Sequence, residues 1–338
     1  MKTEVLKLPN DKNISAIAGL IKNGEIAAIP TETVYGLAAN ALDAGAVNKI
    51  FAAKGRQNDN PLIVHIGKIE DMEKYAVDIP QAAHDLAQKF WPGPLTIILK
   101  KNKIIPDAVT AGLDSVALRM PDNKFALDII NAANLPLAAP SANISGSPSP
   151  TKAGHVYADL NGRIPAIADG GECEVGIEST VISLVGSPRL LRPGKITPRQ
   201  IEEVIGEITI DNAVLHRLEK GQTAVSPGMK YRHYAPKATV ILVNGQKNAV
   251  IDYINLQKEE NCAVMCFDGE ESLFNKPAFS YGDSADPLTL AHCLFSVFRE
   301  IDKEGVPLVF VRAPDKEGVS LAVYNRLVKA SNFTVIEV

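Results

Sequence analysis

The chain has 338 residues, 46% of them hydrophobic and 22% charged, with 24 Gly, 22 Pro and a formal net charge of −4. These values exclude a disordered, collagen-like or coiled-coil chain and suit two globular domains, since one domain usually holds about 100–200 residues. A mildly acidic chain without long Lys/Arg runs also lacks the protein-wide electrostatic footprint of a nucleic-acid binder, leaving only a local patch open.

From the N-terminus, "MKTEVLKLPNDKNISAIAGL" carries neither the charged n-region nor the apolar h-region of a signal peptide. No apolar stretch approaches membrane-spanning length, so a cytoplasmic location without membrane contact is expected. "EIAAIPT" and "PLIVHI" read as buried strands, and "AGAVNKIFAAKG" and "IPQAAHDLAQKFWPG" as helices closed by Gly or Pro-Gly. "PLTIILKK", "SVALRMP", "LPLAAPSAN", "IPAIADGG" and "STVISLV" read as further strands. Several follow one another directly, which predicts some antiparallel pairing and a mixed sheet. The helix "TPRQIEEVIG" closes this unit near Gly206.

"LEKGQTAVSPGMKYRHYAPKA" has no period and reads as a linker. Beyond Ala238, "TVILV", "CAVMCF", "PAFSYG", "PLVFVRA" and "FTVIEV" alternate with helical stretches, predicting a small parallel sheet with helices on both faces. The domains predicted are therefore 1–207, a linker over 208–237, and a smaller Rossmann-like parallel α/β/α domain over 238–338. Cys173, Cys262, Cys266 and Cys293 form no disulfide framework and no C-x-x-C pair, so they read as structural thiols.

Four stretches concentrate chemistry-bearing side chains. In "KGRQNDNPLIVHI", Lys54 and Arg56 end a helix, where cations complement the macrodipole. They also open a polar loop before a strand, where α/β folds gather ligand-binding groups, and an Arg fork beside a Lys point charge suits phosphate. In "APSANISGSPSP", Ser141 and Asn143 aim at one ligand if the segment is extended, while the composition fits a turn equally well. "PTETVYGLAAN" reads as a strand-to-helix joint with Thr31 or Thr33 as N-cap. "DGGECEVGIESTVISL" sets Glu178, Ser179 and Thr180 at a strand entry after paired glycines. No P-loop, G-x-G-x-x-G or G-x-S-x-G motif occurs, and the six histidines show no metal-ligand spacing. His65, at the end of an apolar strand, reads by itself as a core histidine.

Taken together, "KGR", "SAN", "PTETVYGL", "NPLIVHI" and "GIEST" resemble the threonylcarbamoyl-AMP synthases of the YrdC/Sua family, through most of residues 10–200. "SPGMKYRHYAPKA" and "GVSLAVYNRLVKAS" resemble the longer, two-domain branch of that family. Gln57 stands where the family usually has proline after K-G-R. The resemblance implies a YrdC-like mixed twisted sheet around a concave pocket in the first domain. It also implies synthesis of L-threonylcarbamoyladenylate and pyrophosphate from L-threonine, bicarbonate or CO2, and ATP with Mg²⁺. The product serves the threonylcarbamoyladenosine modification of tRNA next to the anticodon, carried out by a downstream transfer machinery.

By the same resemblance, Lys54, Arg56, Ser141 and Asn143 line the nucleotide and carbonate site. Asn60, Ser149 and Arg192 lie along ATP. Thr33, His65, Arg119 and Ser179 contact threonine, with Arg119 on its carboxylate. Tyr231, His233 or Tyr234 of the linker reaches back over the pocket as a lid, with His233 and Tyr234 assigned to ATP. The metal enters with ATP, and no side-chain ligands are assigned to it. Two other readings are a tRNA- or double-stranded-RNA-binding module without chemistry and a carbamoyl transfer step like that of the hydrogenase-maturation proteins. Overall acidity and the lack of aromatics near the cations count against the first, so no stable nucleic-acid binding is expected. Missing zinc-finger-like cysteine motifs count against the second. "LVNGQKN" lacks the glycine spacing for pyrophosphate, so the C-terminal domain reads as structural or regulatory, anchoring the lid.

Overall fold

The computed structural model describes residues 2–217 and 234–338. Tyr231 and His233 therefore lie outside the described residues, and Tyr234 inside them. The first sheet has twelve strands. From one edge they run Glu4–Lys7, Ala166–Asp169, Ala27–Ile29, Gly36–Asn40, Leu137–Ala138, Ile63–His65, Ser115–Arg119, Leu95–Lys101, Thr180–Ser183, Arg189–Arg192 and Thr209–Ile210, with Ala76–Val77 beside Leu95–Lys101. It contains both parallel and antiparallel pairs, so the sheet is mixed, as the run of consecutive strands predicts.

Two helices left unassigned by the sequence reading cover one face. Asp11–Lys22 is capped by Asn10, whose side chain accepts from Lys12 N and Asn13 N, and it buries Ile14, Ile17, Ala18 and Ile21. Lys124–Ala133 is capped in the same way by Asn123. Their apolar faces share one core with Ala27, Ile29, Ala38 and Leu137.

One expectation fails. "PTETVYGLAAN" is not a strand-to-helix joint, because Gly36–Asn40 is a strand paired antiparallel with Ala27–Ile29. Thr31 shapes the turn instead: its Oγ1 accepts from Thr33 N and Val34 N and donates to Val34 O. By propensity Ala favours helix and Gly favours neither helix nor strand, but here their size is what matters, since a Cβ on Gly36 would stand 3.2 Å from Ala139 Cβ.

The second sheet is parallel throughout, with edge-to-edge order Ala278–Ser280, Cys262–Cys266, Leu308–Arg312, Thr239–Asn244, Val335–Glu337. Numbered by sequence within this unit the order is 3-2-4-1-5, in which the first and fourth strands have exchanged places relative to the 3-2-1-4-5 Rossmann order. The two units share an apolar core, because Val34, Val175 and Ile177 of the first pack with Leu294, Phe295 and Tyr324 of the second. Gly176, at φ +83°, makes this approach possible: a Cβ there would lie 2.5 Å from Ala291 O. No helix among the described residues is long and apolar enough to cross a membrane.

Candidate active site

Three stretches far apart in sequence are laced together by backbone hydrogen bonds. Leu37 N donates to Pro140 O (2.7 Å) and Ala142 N to Tyr35 O (2.8 Å), joining "PTETVYGL" to "APSAN". Val175 N donates to Glu32 O (2.8 Å) and Gly176 N to Thr33 O (3.1 Å), adding "GIEST". His65 and Arg119 are register partners on adjacent parallel strands and complete the floor. The result is a pocket with a cavity of about 80 Å³, into which Thr33, Arg56, His65, Arg119, Ser141, Ser179, Arg192 and Tyr234 all face. This cavity accommodates several waters or a small polar group.

The floor is cationic. Arg119 is buried, donates from Nη1 to Thr33 Oγ1 (3.0 Å) and from Nε to Gly93 O (3.3 Å), and forms an ion pair with Glu32 at 2.7 Å. That pair is out of line for a hydrogen bond, so both Glu32 oxygens and Arg119 Nη2 make none. Asn60 Oδ1 and Nδ2 and His65 Nδ1 are likewise buried without hydrogen bonds. Among the described residues only eight buried side-chain polar atoms lack a hydrogen-bond partner, and four of them, both Glu32 oxygens, His65 Nδ1 and Arg119 Nη2, belong to pocket residues or their immediate chain neighbours. Since burying an unsatisfied polar group costs about 1–3 kcal/mol, their concentration here marks a place built to receive a polar ligand.

Opposite, Arg192 donates from Nε to Ser179 O (2.9 Å) and from Nη2 to Ser179 Oγ (3.1 Å), and also bonds the Tyr234 hydroxyl. Ser179 Oγ is in turn 2.8 Å from Thr96 Oγ1. Arg56 Nη2 donates to Asn60 O (2.8 Å) and Pro61 O (3.3 Å), and its guanidinium lies 5.7 Å from the Phe51 ring centroid. Arg56 thus closes its own loop, which supplies the stiffness that a proline at position 57 would otherwise give.

Unlike the other expected residues within the described range, Lys54, Asn60, Asn143 and Ser149 do not line the cavity. The helix Ala44–Lys54 stops at Gly55 in the left-handed conformation, φ +61°, and turns Lys54 inward. Its ammonium donates to Ser141 O and Asn143 O, the latter at 2.7 Å, and reaches Asn143 Oδ1 at 3.4 Å. Burial and the neighbouring Arg56 push this amine well below its ordinary pKa, while three acceptors hold its proton in place. Asn143 Nδ2 donates to Ile144 O (2.9 Å) and Ser147 O (2.8 Å). Lys54 and Asn143 therefore hold the Ser141 loop in shape rather than face the cavity. Ser149 Oγ donates to Glu178 Oε1. A Lys54→Met variant is expected to leave two carbonyls without a donor, loosen the loop and raise proteolytic nicking at residues 144–147. Arg56→Met should weaken ligand binding without that nicking, and limited proteolysis of the two variants checks the distinction.

His65 is buried, and desolvation together with Arg119 pushes its imidazole down to about 3, so it is neutral at physiological pH. An unfolded chain would protonate this ring near pH 6.5, whereas the folded protein resists until about pH 3. The unfolded state then binds more protons in between, so this ring makes stability rise with pH across that window and fall as pH drops through it. His155, pushed down to about 4 by burial and then by Arg299, acts with the same sign. The melting temperature is expected to fall on acidification from pH 6.5 to 4, and less steeply in a His65→Asn variant.

The sequence places Glu178 at a strand entry but discloses neither its role nor its partner. Glu178 lines the pocket, and its Oε2 accepts from Arg326 Nε of the second domain at 2.8 Å. Burial alone would raise this carboxyl, but Arg326 and Arg192, aided by the Ser149 hydrogen bond, outweigh it and hold it below its ordinary value. Arg326 is fully buried, donates to Pro193 O (2.9 Å) and Glu178 O (3.1 Å), and lies 5.5 Å from the centroid of the Tyr234 ring, which also stacks on Phe295. Arg326 stands in "GVSLAVYNRLVKAS", which the sequence shows only as a likeness to the two-domain branch, and nothing in that stretch names a partner 148 residues away.

Comparison with known proteins shows the family to which the chain is similar. The Sua5_yciO_yrdC model, described as "Telomere recombination", matches residues 19–194, and the model described as "Threonylcarbamoyl-AMP synthase, C-terminal domain" matches residues 196–332. The protein is therefore of the class that joins a YrdC-type catalytic fold to a Sua5 C-terminal domain. The threonylcarbamoyl-AMP synthase of Pyrococcus abyssi is 47% identical over 329 residues, covering 96% of each chain. That of Bacillus subtilis is 45% identical, covering 97% of this chain and 95% of its own. A crystal structure of the P. abyssi protein complexed with L-threonine superposes with a TM-score of 0.93 at 44% identity over 100% of both chains. The chain belongs to the threonylcarbamoyl-AMP synthase family.

Proposed function

We propose that this protein synthesises L-threonylcarbamoyladenylate and pyrophosphate from L-threonine, bicarbonate or CO2, and ATP. The observation that carries the proposal is the concentration of Arg56, Arg119 and Arg192 around one small cavity in which buried His65 Nδ1 and Arg119 Nη2 make no hydrogen bond, in a chain similar along its whole length to named synthases. The reaction brings anions together. Threonine loses a proton from its amino group and gains CO2 as a carbamate, and a carbamate oxygen then attacks the α-phosphorus of ATP. The new O–P bond forms as the bond to pyrophosphate breaks. Charge neutralisation and alignment are what such a step requires, and no covalent enzyme intermediate is needed.

In this reading Arg119 receives the threonine carboxylate, with Thr33 and Ser179 beside it. His65, neutral, offers a hydrogen bond without adding charge. Arg56 and Arg192 neutralise phosphate oxygens, with Ser141 and Asn60 as hydrogen-bonding partners. Lys54, Asn143 and Ser149 act by holding the loops in place. Tyr234, over the cavity and in the unusual left-handed region at φ +67°, excludes water from the labile carbamate. Among the described residues no group of three or more His, Cys, Asp or Glu is arranged to hold a metal. Mg²⁺ belongs with the ATP phosphates, where it would neutralise their charge, and no step here rests on an ion held by the protein. A cytoplasmic location and delivery of the adenylate to a tRNA-modifying transfer machinery complete the proposal.

Pyrophosphate release from ATP, Mg²⁺ and bicarbonate, followed with and without L-threonine, tests it. Threonine-dependent release supports adenylate synthesis. Threonine-independent release, or none, contradicts it.

A further inference from the structure

We propose that the cleft between the two domains is a second binding site, for a small phosphate-bearing anion. It is a cavity of about 850 Å³, in the size range of sites for small molecules and at a domain boundary, where such sites concentrate. Its walls come from the loop after Asn143, from the helix Ala153–Leu160, from the end of the linker at Ala235–Lys237, and from the helix Pro287–Glu304.

The chemistry of the walls is one-sided, because their acceptors are already engaged. Asp159 takes two hydrogen bonds from Arg299, at 3.0 and 2.8 Å. Asp302 accepts Lys237 N at 2.7 Å, Pro148 O accepts from Arg299 at 2.6 Å, and Gly146 O accepts Ala235 N at 3.0 Å. The donors remain. Lys237 and Lys303 stand exposed in the lining. Arg299 Nε is buried without an acceptor. His155 accepts Thr151 N on Nδ1 at 3.3 Å, which leaves its proton on Nε2 as a further donor. Ser145 and Ser147 add hydroxyls. With Asp159 paired to Arg299, Lys237 and Lys303 outnumber the one remaining carboxylate, Asp302, so the space keeps a balance of positive charge, and a phosphate-bearing anion answers it.

This cleft differs from the pocket described above, and the inference does not rest on the reaction assigned there. The two are nevertheless joined by chain: Ala235 follows Tyr234, and its N–H bonds Gly146 in the loop that carries Ser141. An anion held by Lys237 and Lys303 would therefore fasten both the linker end and that loop.

Isothermal titration of the full chain with inorganic pyrophosphate, and separately with inorganic phosphate and AMP, tests the site. Two pyrophosphate binding events are expected for the wild-type protein. The Lys237→Glu/Lys303→Glu variant, its fold checked by circular dichroism, should lose one of them or weaken it at least tenfold. Arg56→Met should retain that same event while weakening the other. Binding of phosphate as well as pyrophosphate points to free anions as the source, and binding of AMP to nucleotides. An isotherm unchanged by the double charge reversal would overturn the proposal.

Discussion

Arg326→Met is expected to destabilise the protein by about 3–5 kcal/mol, the usual cost of removing one partner of a buried ion pair. The guanidinium is fully buried, and five acceptors surround it: both Glu178 Oε2 and Glu178 O, Pro193 O, Asn325 Oδ1 and Ala322 O. Methionine fills much of the volume but leaves the Glu178 carboxylate buried with its principal cation gone. Pairing the change with Glu178→Gln should recover a large part of the loss, because the uncompensated charge disappears with it. Urea midpoints of the two single variants and the double variant measure this coupling. A single variant as stable as wild type would mean that the two domains are held by their shared apolar core and not by this ion pair. Catalysis should suffer as well, since Glu178, Tyr234 and Arg192 meet at the pocket wall and Arg326 touches two of the three.

The second large effect is at Arg119. Arg119→Gln is expected to raise the KM for L-threonine by roughly 10–100-fold, corresponding to the loss of a charge-assisted hydrogen bond of about 1.5–3 kcal/mol. The same change leaves Glu32, 4% exposed, without its ion-pair partner, so some loss of stability is built in. Glu32→Gln/Arg119→Gln removes the buried charge together with its partner and should restore much of the stability without restoring threonine affinity. Steady-state kinetics beside thermal denaturation separates the two roles. Recovery of the KM in the double variant would show that Arg119 matters only as the counter-ion of Glu32.

The sequence disclosed the strands that carry the site more readily than the contacts that complete it. "PLIVHI" and "SVALRMP" are short apolar runs, so His65 and Arg119 could be placed on strands, and their register brings them side by side. The turn at Thr31–Tyr35 was misread because small residues favour no one structure locally, and what fixes Gly36–Asn40 as a strand is pairing with Ala27–Ile29 and Leu137–Ala138. Lys54 shows a different limit. A lysine at a helix end before a glycine reads as a capping charge or as a ligand, and the inward turn at Gly55 gives it a third role, that of bonding the Ser141 loop. The strand order of the second sheet depends on which strand enters between which, information that alternation of strands and helices does not carry. Arg326 lies on a buried helix of the second domain and meets Glu178 only through tertiary packing.

The most direct test of the central claim is the product itself. Incubation with ATP, Mg²⁺, L-threonine and ¹³C-bicarbonate, followed by mass spectrometry, is predicted to reveal an adenylate that contains threonine and carries the ¹³C label. An adenylate of threonine without the label, or pyrophosphate release with no threonine-containing product, would contradict the account.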